Sequence, residues 1–144
     1  MPHAHPNRAS FRAVVDADLA QTGSARLGIF AEQHALPAPV RFAADHAFAE
    51  HLQNLVDHSK ARQVEYEFAI DDQRLALTVV DDGVPFDLLS LPAPDVTIPI
   101  EDRPVGGLGI HMIRKLMDDV QYQRSGGRNR VAMIKSLSPQ TARP

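Results

Sequence analysis

Cysteine is absent from the 144 residues. Its absence excludes disulfides, a thiolate zinc site, a thiol nucleophile and thiol redox chemistry, and it removes any sign of an oxidising compartment. Long hydrophobic runs are missing too. Nothing approaches the roughly 18 consecutive apolar residues of a membrane span, and the opening Met-Pro-His-Ala-His-Pro-Asn-Arg has no apolar core of a secretion signal. The expected location is therefore the cytoplasm, with no membrane partner. A basic excess is also lacking. Fifteen Lys and Arg against 18 Asp and Glu give a net charge of -3, which argues against direct nucleic-acid binding. That sum hides an asymmetry: residues 1–100 hold 7 basic and 14 acidic side chains, residues 101–144 hold 8 and 4. An anionic partner thus has a preferred half. What is present, 44% hydrophobic and 23% charged side chains, is enough for one globular domain.

Residues 1–10 are polar and read as a flexible arm; His3 and His5 have no further clustered ligand and fit tail composition better than a metal site. Phe11 to Ala17 has the β-branched content of a first strand, and Leu19 to His34 carries apolar residues at helical intervals, weakened by Gly23 and Gly28. After Leu36-Pro37-Ala38-Pro39, the residues Val40, Ala44, Ala47, Phe48, Leu52, Leu55 and Val56 predict a second helix. Val64 to Ile70 and Leu75 to Val79 alternate apolar and polar residues around an Asp71-Asp72-Gln73 turn, a β-hairpin. Leu88 to Val105, with four prolines, suggests a mobile lid. A glycine-led helix over Gly106 to Asp118 and two strands, Val120 to Arg124 and Arg130 to Leu137 across a Ser125-Gly126-Gly127 turn, complete the chain. The order predicts an α/β two-layer sandwich, a mostly antiparallel mixed sheet with its helices on one face. The expected division is an arm at 1–10, one domain at 11–137 and a tail at 138–144.

Three constellations carry chemistry. Glu50, Asn54 and His58 recur every fourth residue on the second helix. Asn54 lies about 40° from Glu50 around the axis, while Phe48 and Leu52 lie about 160° away, so acid and amide share a face opposite the apolar stripe. By itself this is first a solvated polar face, with His58 as a partner for the helix dipole. It also suits a carboxylate base and an amide oxygen that completes the shell of a Mg²⁺ ion. Asp81-Asp82-Gly83-Val84-Pro85-Phe86-Asp87 follows a strand. It makes a good turn, and equally a carboxylate able to accept from the exocyclic amine of adenine, with Gly83 lacking the Cβ that would obstruct the ring. Gly106-Gly107-Leu108-Gly109-Ile110 opens a helix; it is neither a P-loop nor a Rossmann fingerprint, which leaves a glycine hinge or a backbone N–H site for phosphates.

In this order the segments resemble the nucleotide-binding boxes of the GHKL ATPase superfamily, and most of all the anti-sigma factor serine kinases of the RsbW and SpoIIAB type. Glu50-x-x-x-Asn54-x-x-x-His58 is similar to their N box, Asp81-x-Gly83-x-Pro85-Phe86-Asp87 to G1, and Gly106-Gly107-Leu108-Gly109-Ile110 with Ile113 to Met117 to G2. Gly127-Arg128-Asn129-Arg130 looks like their Gly-x-Asn closing turn. Two positions depart: His51 stands where these kinases carry a small apolar residue, and Leu88 replaces a proline.

The resemblance implies a Bergerat-type fold with an ATP lid, and ATP and Mg²⁺ as cofactors. It implies that Glu50 is the catalytic base, that Asn54 holds the metal, and that Asp81 and Gly83 meet adenine. Gly107, Leu108 and Gly109 would close over the phosphates, with Arg103 as the neutralising cation and Arg128 or Arg130 behind it. It further implies serine/threonine protein kinase activity on a STAS-like antagonist, binding of a sigma factor or other regulator, and a homodimer, for which the first strand and helix are the free surface. Two other readings stand beside it: a nucleotide-dependent sequestration module without kinase activity, and, less favoured, a histidine-kinase catalytic domain.

Overall fold

The computed structural model describes residues 6–85 and 107–138. The lid segment, Arg103, His3, His5 and the tail beyond Ser138 lie outside the described residues. The elements run β1 (Arg8–Val14), α1 (Leu19–Gln33), α2 (Ala38–Asn54), a π-helical turn (Leu55–Ser59), β2 (Gln63–Ile70), β3 (Arg74–Asp81), α3 (Gly107–Leu116), β4 (Asp119–Ser125) and β5 (Arg128–Ser136). The five strands form one sheet in the order β1-β2-β3-β5-β4, and all four pairings are antiparallel. No helix among the described residues is long and apolar enough to cross a membrane.

Strand β1 begins at Arg8, earlier than the Phe11 expected from composition, and ends at Val14. Its polar residues gain partners only across the sheet: Arg8 and Ser10 both donate to the Glu67 carboxylate at 3.1 Å, and Arg12 pairs with Glu65 at 3.2 Å. Exposed pairs of this kind contribute about 0–1 kcal/mol each, so it is the backbone ladder to β2 that sets the strand's length. Asp16 turns the chain into α1, its side chain accepting from Asp18 N–H at 3.0 Å and its carbonyl from Leu19 N–H at 3.1 Å.

Aromatic residues are 6% of the chain, and the core concentrates them. Phe48 of α2 meets Tyr66 and Phe68 of β2 edge-on, with ring centroids 5.3 and 5.2 Å apart, and Phe11 and Phe30 close the cluster against Tyr66 and Phe68. Arg26 of α1 lies over the Phe11 ring at 4.6 Å and donates to the Tyr66 hydroxyl at 2.8 Å, which ties α1 to the sheet. Gly23, a poor helix former, sits where α1 crosses α2; a Cβ there would meet the Leu52 side chain and the Phe48 ring. The close crossing outweighs the propensity of about 1 kcal/mol.

Helix α2 packs against both α1 and α3. Its buried residues, Val40, Ala43, Ala44, Ala47, Phe48, His51, Leu52 and Asn54, consequently cover far more of its circumference than one apolar stripe. The expectation that Asn54 lies on a face opposite the core is therefore corrected, for Asn54 is 6% exposed.

Candidate functional site

Four helical turns of α2 deliver Glu50 half-buried and Asn54 buried at its C-terminal end. The Asn54 side-chain nitrogen is shielded from solvent and makes no hydrogen bond. A buried amide left unspent is costly unless something meets it. Glu50 titrates above the ordinary carboxylate range, first because partial burial disfavours its charge and next because Asp57 stands near, with His58 acting the other way. A carboxylate raised in this manner is better matched to accepting a proton near neutral pH.

The helix does not simply stop after Asn54. Leu55–Ser59 widens into a π-helical turn, which ends at Lys60 in the left-handed conformation, φ 58°. Ser59 is buried; its hydroxyl donates to the Leu55 carbonyl at 2.7 Å and accepts from Ala61 N–H at 3.0 Å. Its carbonyl accepts from Val84 N–H at 2.8 Å. This bond joins the end of the Asn54 helix to the loop after β3, and so brings two of the sequence constellations to one end of the molecule.

Asp81 ends β3 and is buried. Its Oδ1 accepts from Gly83 N–H at 2.8 Å and from Asn129 Nδ2 at 3.1 Å. Gly83 is required by the protein itself: a Cβ there would stand 2.5 Å from the Ser59 carbonyl oxygen and 2.9 Å from Asp81 Oδ1. Asp82, the other acid of the pair, points away. Its Oδ1 accepts from Gln63 and Arg62 N–H at 3.1 and 2.8 Å, which lowers its pKa and caps the start of β2.

No sequence motif marks Asn129 as a partner of Asp81, or Tyr122 and Arg124 as partners of Asn129 at 2.6 and 3.2 Å. Asn129 and Asp81 are direct partners in the β3–β5 register, a pairing that no local pattern reveals. The turn signal around Gly127 was the nearest indication. Strand alternation also places the neighbours of Asn129. With Asn129 turned in, Arg128 and Arg130 stand on the open face of the sheet, Arg128 3.8 Å from Glu65 and Arg130 lining a groove with Arg12 and Glu67. They face away from α2, so neither serves as the cation expected beside the phosphates. Gly107, Leu108 and Gly109 form the first turn of α3, as the glycine-led helix predicted, whereas Arg103 lies outside the described residues.

His51 is buried at 4% exposure, and its Nε2 makes no hydrogen bond. Burial pulls its pKa down to about 4. A depressed folded-state value against about 6.5 unfolded contributes stability that is complete above pH 6.5 and lost as pH falls through 4. Urea unfolding is expected to show about 2 kcal/mol less stability at pH 5 than at pH 7 from this residue. His51→Leu should remove that part of the slope; an unchanged slope would refute the assignment.

Comparison with known proteins adds a family to this geometry. The model of the histidine kinase-like ATPase domain matches residues 15–135. Proteins named serine-protein kinase RsbW from Bacillus cereus and Bacillus anthracis are each 33% identical to the chain over 88 residues, 56% of this chain and 55% of the relative. The chain thus spans about half the length of the curated relatives it matches. A solved structure of the RsbU and RsbW domains of a Mycobacterium tuberculosis protein superposes with a TM-score of 0.66 at 17% identity, over 90% of this chain and 32% of that one, and so shares the fold.

Proposed function

The chain belongs to the histidine kinase-like ATPase domain family, and from that membership and the likeness to RsbW we propose an ATP- and Mg²⁺-dependent serine/threonine protein kinase. It would phosphorylate a STAS-like antagonist and, in its other state, hold a sigma factor or similar regulator. Residues 11–137 form the catalytic domain in this reading. The observation that carries it is the buried Asn54 side chain, whose Nδ2 has no partner, one turn after the half-buried Glu50 on the same helix. Among the described residues no three His, Cys, Asp or Glu side chains cluster as a cation cage. The amide oxygen of Asn54 is a hard oxygen ligand of the kind Mg²⁺ takes, an ion that keeps few protein ligands and shares the nucleotide's phosphates. Asn54 Oδ1 would hold the ion, which supplies charge neutralisation at the phosphates.

Glu50 accepts the proton of a partner's serine or threonine hydroxyl. The hydroxyl oxygen forms a bond to the γ-phosphorus, the bond from that phosphorus to the β–γ bridging oxygen breaks, and ADP leaves. Asp81 receives the base at the far end: its Oδ1 is occupied, and Oδ2 takes no hydrogen bond among the described residues. Gly107, Leu108 and Gly109 at the start of α3 stand for the phosphate cover, and Arg103 for its cation.

The test mixes the protein with labelled ATP, Mg²⁺ and a candidate STAS-domain protein. Label is expected on a serine or threonine of the partner, and chelation of Mg²⁺ should abolish it. Asn54→Ala should weaken ATP binding at least roughly tenfold with Mg²⁺ present and hardly at all in chelator. ATP binding with no labelled partner would replace the kinase by a sequestration module.

A further inference from the structure

Among the described residues, two side-chain polar atoms are shielded from solvent and make no hydrogen bond: His51 Nε2 and Asn54 Nδ2. The other buried polar residues are satisfied elsewhere, Ser59 by Leu55 and Ala61, Asp81 by Gly83 and Asn129, and Asn129 by Val84 and Tyr122. His51 and Asn54 stand three residues apart on α2, close to one turn along the axis and about 60° around it, a spacing that brings Cβ atoms to about 5–6 Å. Helix α3 packs on α2, and the side chains it buries, Ile110, Ile113 and Met117, are apolar. Two unspent groups are thus left side by side on one flank of one helix. They are also chemically complementary. An amide nitrogen only donates, whereas the bare nitrogen of a neutral imidazole only accepts. Burial draws the His51 pKa down to about 4, so the ring is neutral at pH 7.

We propose that His51 is a positioning residue for Asn54: its Nε2 accepts from Asn54 Nδ2, directly or through one bridging water, and so holds the amide with Oδ1 turned toward the metal and the phosphates. The inference rests on the ATP and Mg²⁺ reading above and adds to it what decides the direction of the amide. An Asn side chain has nearly the same shape either way round, so packing hardly distinguishes the two orientations. With the amide reversed, Oδ1 would face the imidazole lone pair, acceptor against acceptor, and Nδ2 would face a cation. His51 is 4% and Asn54 6% exposed, which leaves little water to repair that mismatch.

Two measurements test the assignment. Long-range ¹H–¹⁵N NMR of the protein free of metal and nucleotide reports which ring nitrogen of His51 carries the proton. The tautomer protonated at Nδ1 is expected; a proton on Nε2 overturns the proposal, because that nitrogen would then donate and could take nothing from Nδ2. Equilibrium ATP binding is then measured with Mg²⁺ and in chelator for wild type, His51→Leu and His51→Gln. His51→Leu should lose roughly tenfold in affinity with Mg²⁺ present and less than about twofold in chelator. His51→Gln, whose side-chain oxygen restores an acceptor, should recover to within about threefold of wild type. Equal losses under the two conditions, the mark of a packing role, overturn the proposal, as does no loss at all or a Gln variant no better than Leu. Should His51→Leu fail to fold in a thermal melt, the tautomer of the wild-type ring decides by itself. Wild type whose ATP affinity ignores Mg²⁺ would instead overturn the ATP and Mg²⁺ reading of the site.

Discussion

Glu50→Gln is expected to slow phosphoryl transfer to the partner hydroxyl by roughly 10²- to 10⁴-fold, the range for loss of a positioned general base, while ATP affinity stays within about twofold. The substitution keeps size and removes the proton acceptor, so the loss should fall on kcat. The pH profile supplies an independent check. As the proposed base Glu50 would act when ionised, so activity should be lost as pH falls through its pKa, and partial burial raises that acid limb above the ordinary carboxylate range. Asp57 is the second influence raising it; Asp57→Asn should slide the limb to lower pH without abolishing activity. The stability sign is opposite. A raised folded-state pKa contributes stability below the unfolded value that is lost as pH rises through the folded one, so Glu50→Gln should not destabilise the protein at neutral pH. Transfer at wild-type rate in Glu50→Gln would remove Glu50 from the mechanism.

Gly83→Ala should be strongly damaging, because the atoms it would meet are not the free end of a flexible side chain. The added carbon would lie 2.5 Å from the Ser59 carbonyl oxygen, 2.9 Å from Asp81 Oδ1 and 3.0 Å from Ser59 Cβ, and two of these belong to a buried, hydrogen-bonded joint. Relief requires the loop to leave Ser59, which breaks the 2.8 Å bond from Val84 N–H. A cost of about 1–3 kcal/mol follows. The loop carries the Asp81 contacts, so ATP affinity should fall roughly 10- to 100-fold as well. Gly28→Ala is the control: its Cβ would meet only Arg41 at 3.7 Å, inside a helix, and should stabilise by about 0.5–1 kcal/mol. Thermal melts with and without ATP read both effects, and equal shifts in the two variants would show that Gly83 is not under the constraint assigned to it.

These two residues mark how far local patterns reach. Glu50 is identified by its spacing from Asn54, and the structure adds the environment that suits it to a base. Gly83 is identified by its motif, but the reason for a glycine lies first in the protein: the carbonyl of Ser59, distant in sequence, fills the space a side chain would need. Helix α2 shows the same division. Its periodicity predicts a helix and a polar face, yet Asn54 and His51 are buried, because a helix packed against two others buries a wider arc than one apolar stripe.

The sequence by itself determined the elements, the antiparallel hairpin, the two-layer architecture and the ordered set of boxes, because each depends on the period of apolar residues or on turn chemistry within a few positions. Tertiary structure alone decided which groups meet. Pairing of β3 with β5 sets Asn129 beside Asp81, and strand alternation turns Arg128 and Arg130 to the opposite face. The Ser59–Val84 bond joins the end of the Asn54 helix to the loop after Asp81. Register and helix crossing are long-range quantities, fixed by packing across the sheet, and no window of neighbouring residues contains them.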